Sequence, residues 1–182
     1  MKSLYRLLLT AGMVLPCLLL SSCEKEPQDR DSGEFTIDNA LYGVGPYYAI
    51  GFSFEEGRKV RTDESPQPDI TVHARTDAGG NITGAYLDTP KLIESFALAG
   101  EFQSLSEAED FFNDLLEVGT YTWTLLADDI KENQVWIFKT SQDNYVKFLI
   151  TDLLLDGSGD VPIAEITVSW VIQDDGTGIF PG

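Results

Sequence analysis

The chain has 182 residues, of which 43% are hydrophobic, and its 12 basic and 30 acidic residues give a net charge of −18 at pH 7. This acidic balance excludes nucleic acid as a partner, because nucleic-acid binding needs a basic surface. It equally argues against electrostatic attraction to an anionic membrane.

Residues 1–22 are predicted to be a signal peptide that is removed. Lys2 and Arg6 give a positive start, and residues 7–20 are almost entirely apolar, which is typical of secretory signals. The apolar run is too short for a comfortable membrane span of about 20 residues. It ends in LSSC at residues 20–23, a pattern that resembles the bacterial lipobox.

Cys23 is therefore predicted to be the lipidated first residue of the mature chain, anchored stably by several acyl chains. Cys17 follows Pro16 and does not fit the same pattern. Once Cys17 leaves with the signal, the mature chain has no free thiol for a disulfide, a metal site or a nucleophile. The alternative is an ordinary secreted protein with a stray cysteine.

Residues 23–33 have the composition of a flexible tether. The acidic stretch EKE at residues 24–26 resembles the surface-export signal of Bacteroidetes lipoproteins, which predicts a lipid-anchored protein of the bacterial outer membrane, exposed at the cell surface. A plain solvated tether is the alternative interpretation. Removing the signal leaves 160 residues and takes the charge from −18 to −20, so residues 34–182 are predicted to form a single domain.

Strand patterns dominate the first half of this domain. Residues 47–54 (YYAIGFSF) are rich in aromatic side chains, and residues 69–75 (DITVHAR) alternate, with His73 on the side opposite Val72. Residues 78–81 (AGGN) predict a turn, and residues 82–87 (ITGAYL) a returning strand.

One segment changes from a period of two to the period of a helix. Ser104 and Glu107 form a predicted capping box, and Gly119 is the predicted helix end. Between them a single apolar stripe is expected to be core and not a ligand groove. The stripe consists of Leu105, Ala108, Phe111, Phe112, Leu115 and Leu116.

Strand patterns return after the helix, at residues 121–126, 135–140, 145–151 and 163–173. Residues 141–144 predict a hairpin turn, and residues 174–176 turn the chain toward Ile179 and Phe180. About eight strands and one amphipathic helix predict a mainly β fold of antiparallel sheets, arranged as a sandwich or a curled sheet.

The sequence offers little catalytic chemistry. His73 is the only histidine, no serine lies in a nucleophile elbow, and a strand histidine is the simpler interpretation. Paired carboxylates are not excluded by residue type, but the protein is predicted not to be an enzyme. Residues 156–160 (DGSGD) resemble part of a calcium loop, yet Val161 and Thr167 occupy the positions at which an EF-hand needs glycine and an acid. A weak surface calcium site and a simple strand connection both stay open.

Several short motifs form a familiar pattern. They are residues 52–60 (FSFEEGRKV), 68–72 (PDITV), 135–140 (VWIFKT), 145–148 (YVKF) and 171–180 (VIQDDGTGIF). The pattern resembles the HmuY family of Bacteroidetes haem-binding lipoproteins, and the resemblance spans residues 47–180. It implies a HmuY-like β fold, and it makes haem, which some members of that family bind, one candidate cofactor.

Members of that family that bind haem hold the iron between two axial side chains, usually histidine or methionine. Both methionines of this chain, Met1 and Met13, lie in the signal, and no position here matches a family ligand. His73 is the one conventional ligand left. A five-coordinate site on His73, a tyrosine ligand such as Tyr86 or Tyr121, and a haem bridged by two molecules remain as alternatives.

The sequence thus predicts a noncatalytic, lipid-anchored binding protein of the cell envelope, HmuY-like in fold, with haem as one candidate ligand. The alternative is a structural or adhesive lipoprotein that binds a glycan or a partner protein through its exposed sheet or loops. Aromatic side chains within the strand patterns are expected to be core before sugar platforms. These are Tyr47, Tyr48, Trp123, Trp136 and Trp170.

Overall fold

The computed structural model describes residues 31–44, 48–91 and 93–181. The predicted signal peptide and Cys23 lie outside these ranges. The described residues form, in chain order, β1 (Ser32–Asp38), β2 (Ile50–Ser53), β3 (Arg58–Arg61), β4 (Thr71–Thr76), β5 (Ile82–Asp88), β6 (Phe96–Glu101), α1 (Leu105–Asp114), β7 (Leu126–Ala127), β8 (Gln134–Lys139), β9 (Tyr145–Asp156) and β10 (Ile163–Gln173). The prediction of antiparallel β structure with one helix is confirmed.

The strands form two layers. Sheet A has five strands in the order β1-β10-β9-β8-β6, and two smaller sheets have the orders β2-β3 and β4-β5-β7. The two smaller sheets are joined where Phe52 N–H donates to Ile70 O at 3.0 Å and Asp69 N–H donates to Phe52 O at 2.9 Å. They therefore act as one second layer, and the fold is a β-sandwich.

The main core lies between these layers and is rich in aromatic side chains. Phe35 of β1 stacks on Phe52 of β2, and Phe54 packs against Phe148 and Trp170. Trp136 and Trp170 are 5% and 1% exposed. Both tryptophans belong to the core, as their place in strand alternations predicts, because each alternate residue of a strand points to the same face.

The outer face of sheet A is covered by α1 and the chain end. Ala108 and Phe112 are the buried residues of the helix, and Ser104 caps its start by accepting from Glu107 N–H. Ala108 and Phe112 pack on Val135 and Leu149 of sheet A. Farther along the same face, Phe180 packs with Ala97 and Ile137. The middle of the apolar stripe is thus core, as predicted. The prediction was wrong for its two ends, because Leu105 and Leu116 are 40% and 48% exposed.

The predicted helix end was wrong. The helix ends at Asp114 and not near Gly119, because Leu115 already leaves the helical conformation. Lys147 of β9 donates from Nζ to Phe112 O at 2.7 Å and to Leu115 O at 3.0 Å. These bonds satisfy carbonyls that lack a partner at a helix end.

The predicted strand at residues 121–126 was mostly wrong. Its alternation exists, because Tyr121 and Trp123 pack inward on the Phe180 cluster while the alternate residues Thr122 and Thr124 are exposed. However, this segment pairs with β6 only at Thr124, opposite Phe96. Alternation fixes which side chains are buried, but not whether a neighbouring backbone lies within hydrogen-bonding distance.

Other boundaries differ less. Of the predicted strand at residues 47–54, Ile50–Ser53 form β2, while Tyr47 lies outside the described residues. β1 begins at Ser32, inside the range predicted as tether. The hairpins β4–β5 and β8–β9 form where they were predicted, and β10 has the predicted bounds. β1, β3 and β6 were not among the strand predictions, since each is rich in polar or small residues.

Candidate functional site

A groove of about 410 Å³ opens at the edge of the sandwich beside β6. We call it the edge groove. It is lined by Leu98, Thr120, Tyr121, Thr122, Thr124, Leu126, Asp128 and Trp136. It therefore contains Tyr121, one of the three ligand candidates from the sequence.

The groove exists because two chain segments separate. Thr124 and Phe96 exchange both backbone hydrogen bonds, at 2.8 and 3.0 Å. Continued antiparallel pairing would place Thr122 opposite Leu98, but no backbone hydrogen bond joins these two among the described residues. β6 also has an irregular register between Leu98 and Gly100. The gap left between the two segments is the groove.

The lining combines apolar surface with hydroxyl groups. Leu98 and Leu126 are 44% and 36% exposed, and Trp136 closes the inner side with its indole N–H donated to Gln134 Oε1 at 3.1 Å. The hydroxyls of Thr120 and Thr122 have no hydrogen-bond partner in the described part of the chain. The groove can thus pack against the flat apolar face of a ligand and form hydrogen bonds with polar groups at the ligand's edge.

One charged residue lies in the groove. Asp128 lines it and forms an ion pair with Arg75 of β4. Both side chains are largely exposed, so solvent screens this pair and its contribution to stability is small.

His73 and Tyr86 lie elsewhere, on the surface of the β4–β5 hairpin. They are a cross-strand pair whose rings stack with centroids 5.0 Å apart and an angle of 18°. His73 Nε2 lies 3.0 Å from Thr71 Oγ1, and burial lowers the pKa of this imidazole. The arrangement keeps the ring neutral and packed, which is typical of a structural strand histidine.

The predicted haem ligands are thus divided. His73 and Tyr86 face each other ring on ring, while Tyr121 lines the edge groove. These positions do not fit a haem held by two axial ligands within one chain. Among residues 31–44, 48–91 and 93–181, no group of three or more His, Cys, Asp or Glu side chains is placed to hold a metal ion.

The loop at residues 156–160 is used locally. Asp156 Oδ1 accepts from Ser158 N–H at 2.8 Å. Hydrogen bonding from the Ser158 side chain and then from its backbone N–H lowers the pKa of the Asp156 carboxyl group. The loop joins β9 to β10. Its geometry is that of a tight strand connection.

The sequence motifs did not reveal the main buried polar contacts. Asp69 is fully buried, accepts from Phe54 N–H at 2.8 Å and pairs with Lys91 Nζ at 2.6 Å. Gln134 is also buried, and its Oε1 accepts a hydrogen bond from Lys131 N–H at 3.0 Å. Both residues fix loops of the sandwich. A polar residue beside a strand pattern was their only sequence signal.

Comparison with protein-family models gave no match, and neither did comparison with curated protein sequences or with solved structures. The described residues contain no helix long and apolar enough to cross a membrane. The resemblance to the HmuY family therefore rests on the short motifs alone.

Proposed function

We propose that this protein is a noncatalytic, lipid-anchored binding protein of the bacterial outer membrane, exposed at the cell surface, and that the edge groove holds its ligand. The groove's lining is the observation that carries this proposal. It offers exposed leucines, an aromatic ring and hydroxyl groups, but among its described residues there is a single carboxylate and no histidine or cysteine. Such a lining suits binding better than chemistry.

A neutral glycan is the ligand that this lining favours. Sugars present apolar C–H faces, for which Leu98, Leu126 and the part of Tyr121 that lines the groove offer a surface. They also present hydroxyl edges that Thr120 and Thr122 can hydrogen-bond. An anionic glycan is disfavoured by the net charge of −18.

Haem is the second candidate, because the resemblance to the HmuY family implies it and because Tyr121 lines an apolar groove. A single tyrosine can ligate haem iron. His73 is a weaker ligand candidate, since its ring is stacked on Tyr86 and its Nε2 is engaged by Thr71.

Two titrations of the mature chain in detergent separate these ligands. Maltohexaose, cellohexaose and chitohexaose are followed by tryptophan fluorescence, and haem by its Soret absorption. Glycan binding should weaken about tenfold in Tyr121→Ala. It should weaken by a similar factor in Thr122→Val, because that variant replaces the hydroxyl by a methyl group and keeps the shape of the side chain. Haem binding through Tyr121 should be lost in Tyr121→Phe and unaffected by Thr122→Val.

Tyr86→Ala is the matched control, because it removes a tyrosine outside the groove. A ligand whose affinity falls in Tyr86→Ala but not in Tyr121→Ala would contradict the edge groove as the binding site and favour the β4–β5 surface.

The anchor is tested separately. Cys23→Ser should prevent acylation, so that labelled palmitate is not incorporated and the protein is uncut or leaves the membrane fraction. A variant that is still processed and anchored would contradict the lipoprotein proposal without affecting the groove.

A further inference from the structure

A second cavity lies at the start of β1, away from the residues of the edge groove. Two adjoining hollows of about 400 and 330 Å³ share Asp31, Ile172 and Asp174 in their walls. We call them together the acidic crevice. Its charged lining consists of the carboxylates of Asp31, Glu55, Asp174 and Asp175.

No basic side chain is among the described residues that line the crevice. Lys139, the last residue of β8, pairs with Asp143 at 2.8 Å. Arg58 follows the turn that contains Glu55 and pairs with Glu56 at 2.6 Å. These two cations are thus paired with other acids. Lys147, whose Nζ lies 5.4 Å from the ring centroid of Phe180 in the crevice wall, donates to the carbonyls of Phe112 and Leu115. None of the three is paired with a carboxylate of the crevice, so its negative field is left for a ligand.

Two polar side chains of the crevice are held in place at one end and unpartnered at the other. Glu55 Oε2 bonds the Gln142 amide, while its Oε1 is buried without a partner among the described residues. Gln173 is 4% exposed, and its Oε1 accepts from Gly178 N–H at 3.2 Å. Its Nε2 has no partner in the same described ranges.

Two residues that line the acidic crevice, Glu55 in one hollow and Gln173 in the other, therefore each carry one buried polar atom without a partner among the described residues. Buried polar groups are nearly always hydrogen-bonded, so each such exception calls for an explanation. A ligand that satisfies both would carry a cationic donor for the carboxylates and a neutral acceptor for the Gln173 amide. A metal ion supplies no acceptor, and no three-ligand cluster exists among the described residues.

We infer that the acidic crevice binds an arginine side chain of a partner polypeptide. The planar guanidinium has several donors in a fixed fork that matches carboxylates such as Glu55 and Asp174. The carbonyl of the adjoining peptide bond supplies the acceptor for Gln173 Nε2. This protein-binding site is independent of the proposed ligand groove, and the acidic surface attracts such a partner at long range.

The test uses the mature chain in detergent and a fluorescein-labelled tetra-arginine peptide, with a tetra-citrulline peptide as the neutral isostere. Fluorescence anisotropy at physiological salt should show saturable binding of the arginine peptide only. Glu55→Gln combined with Asp174→Asn should weaken it at least about tenfold, and Gln173→Leu should weaken it severalfold without changing the charge.

Glu109→Gln with Asp110→Asn is the matched control, because it removes the same two charges from exposed positions of α1. It should change the affinity less than about twofold. Equal losses in the two double variants would mean nonspecific attraction and would overturn the inference. So would equal binding of both peptides, or displacement of the arginine peptide by millimolar Ca²⁺, which would indicate a metal site.

Arg30 directly precedes Asp31 and lies outside the described residues. Arg30→Ala should leave the peptide affinity unchanged. If peptide binding appears only in Arg30→Ala, the crevice belongs to the chain's own arginine and the inference of a partner is wrong. Should Gln173→Leu not fold, by circular dichroism, the comparison of the two double variants decides alone.

Discussion

Strands β9 and β6 belong to the same sheet but differ in how completely they are packed. In β9, five consecutive residues from Val146 to Ile150 are at most 3% exposed, since the sandwich covers one face and the helix the other. In β6, Leu98 is 44% exposed. The outer edge of this strand pairs with the segment at residues 121–126 only between Phe96 and Thr124. The comparison indicates that stability is concentrated in the central strands, while the groove lies where packing is incomplete.

The largest effect on stability is expected in the centre of β9. Phe148 is fully buried between the layers, so Phe148→Ala should lower the free energy of unfolding by about 3–5 kcal/mol. Denaturant titration checks this. Leu154→Ala is the control on the same strand, because Leu154 is 52% exposed. Similar losses in both variants would contradict the contrast between packed and open regions.

The next effect concerns the outer face of β9. Lys147→Met removes the donor to Phe112 O and Leu115 O, and we expect a loss of about 1–3 kcal/mol. Burial lowers the pKa of Lys147, so relief of the desolvation of its charge offsets part of this loss. Hydrogen exchange of the α1 amides should rise together with the loss in unfolding free energy. A more stable variant would show that this lysine costs more than its two bonds contribute.

A smaller, pH-dependent effect is expected on the β4–β5 surface. Burial lowers the pKa of His73 in the folded protein below its usual 6.5. Below pH 6.5 the unfolded chain therefore binds a proton that the folded chain resists, so stability falls as the pH drops toward the folded pKa. His73→Phe keeps an aromatic ring beside Tyr86 and removes this titration. From pH 7 to pH 5 the wild type should lose more stability than the variant, whereas parallel curves would contradict a buried, neutral His73.

The β pattern of the sequence was enough for the fold class and for the β8–β9 and β4–β5 hairpins, because those strands alternate and are bounded by turn residues. It could not reveal the edge groove. Tyr121 was identified as a candidate ligand by its chemistry, but the groove depends on where its segment leaves β6, a tertiary feature. Lys147 belonged to a recognised motif, yet its contact with the helix end spans 32 residues of sequence.

The role of the edge groove as the binding site is tested by one variant measured in two ways. Tyr121→Ala should weaken binding of the groove's ligand, the neutral hexasaccharide or haem that saturates the wild type, by at least about tenfold. Because the groove lies at an incompletely packed edge, the same variant should lose less than about 2 kcal/mol of unfolding free energy. Unchanged affinity would contradict the edge groove as the binding site, and a loss as large as that of Phe148→Ala would contradict the separation of binding from stability.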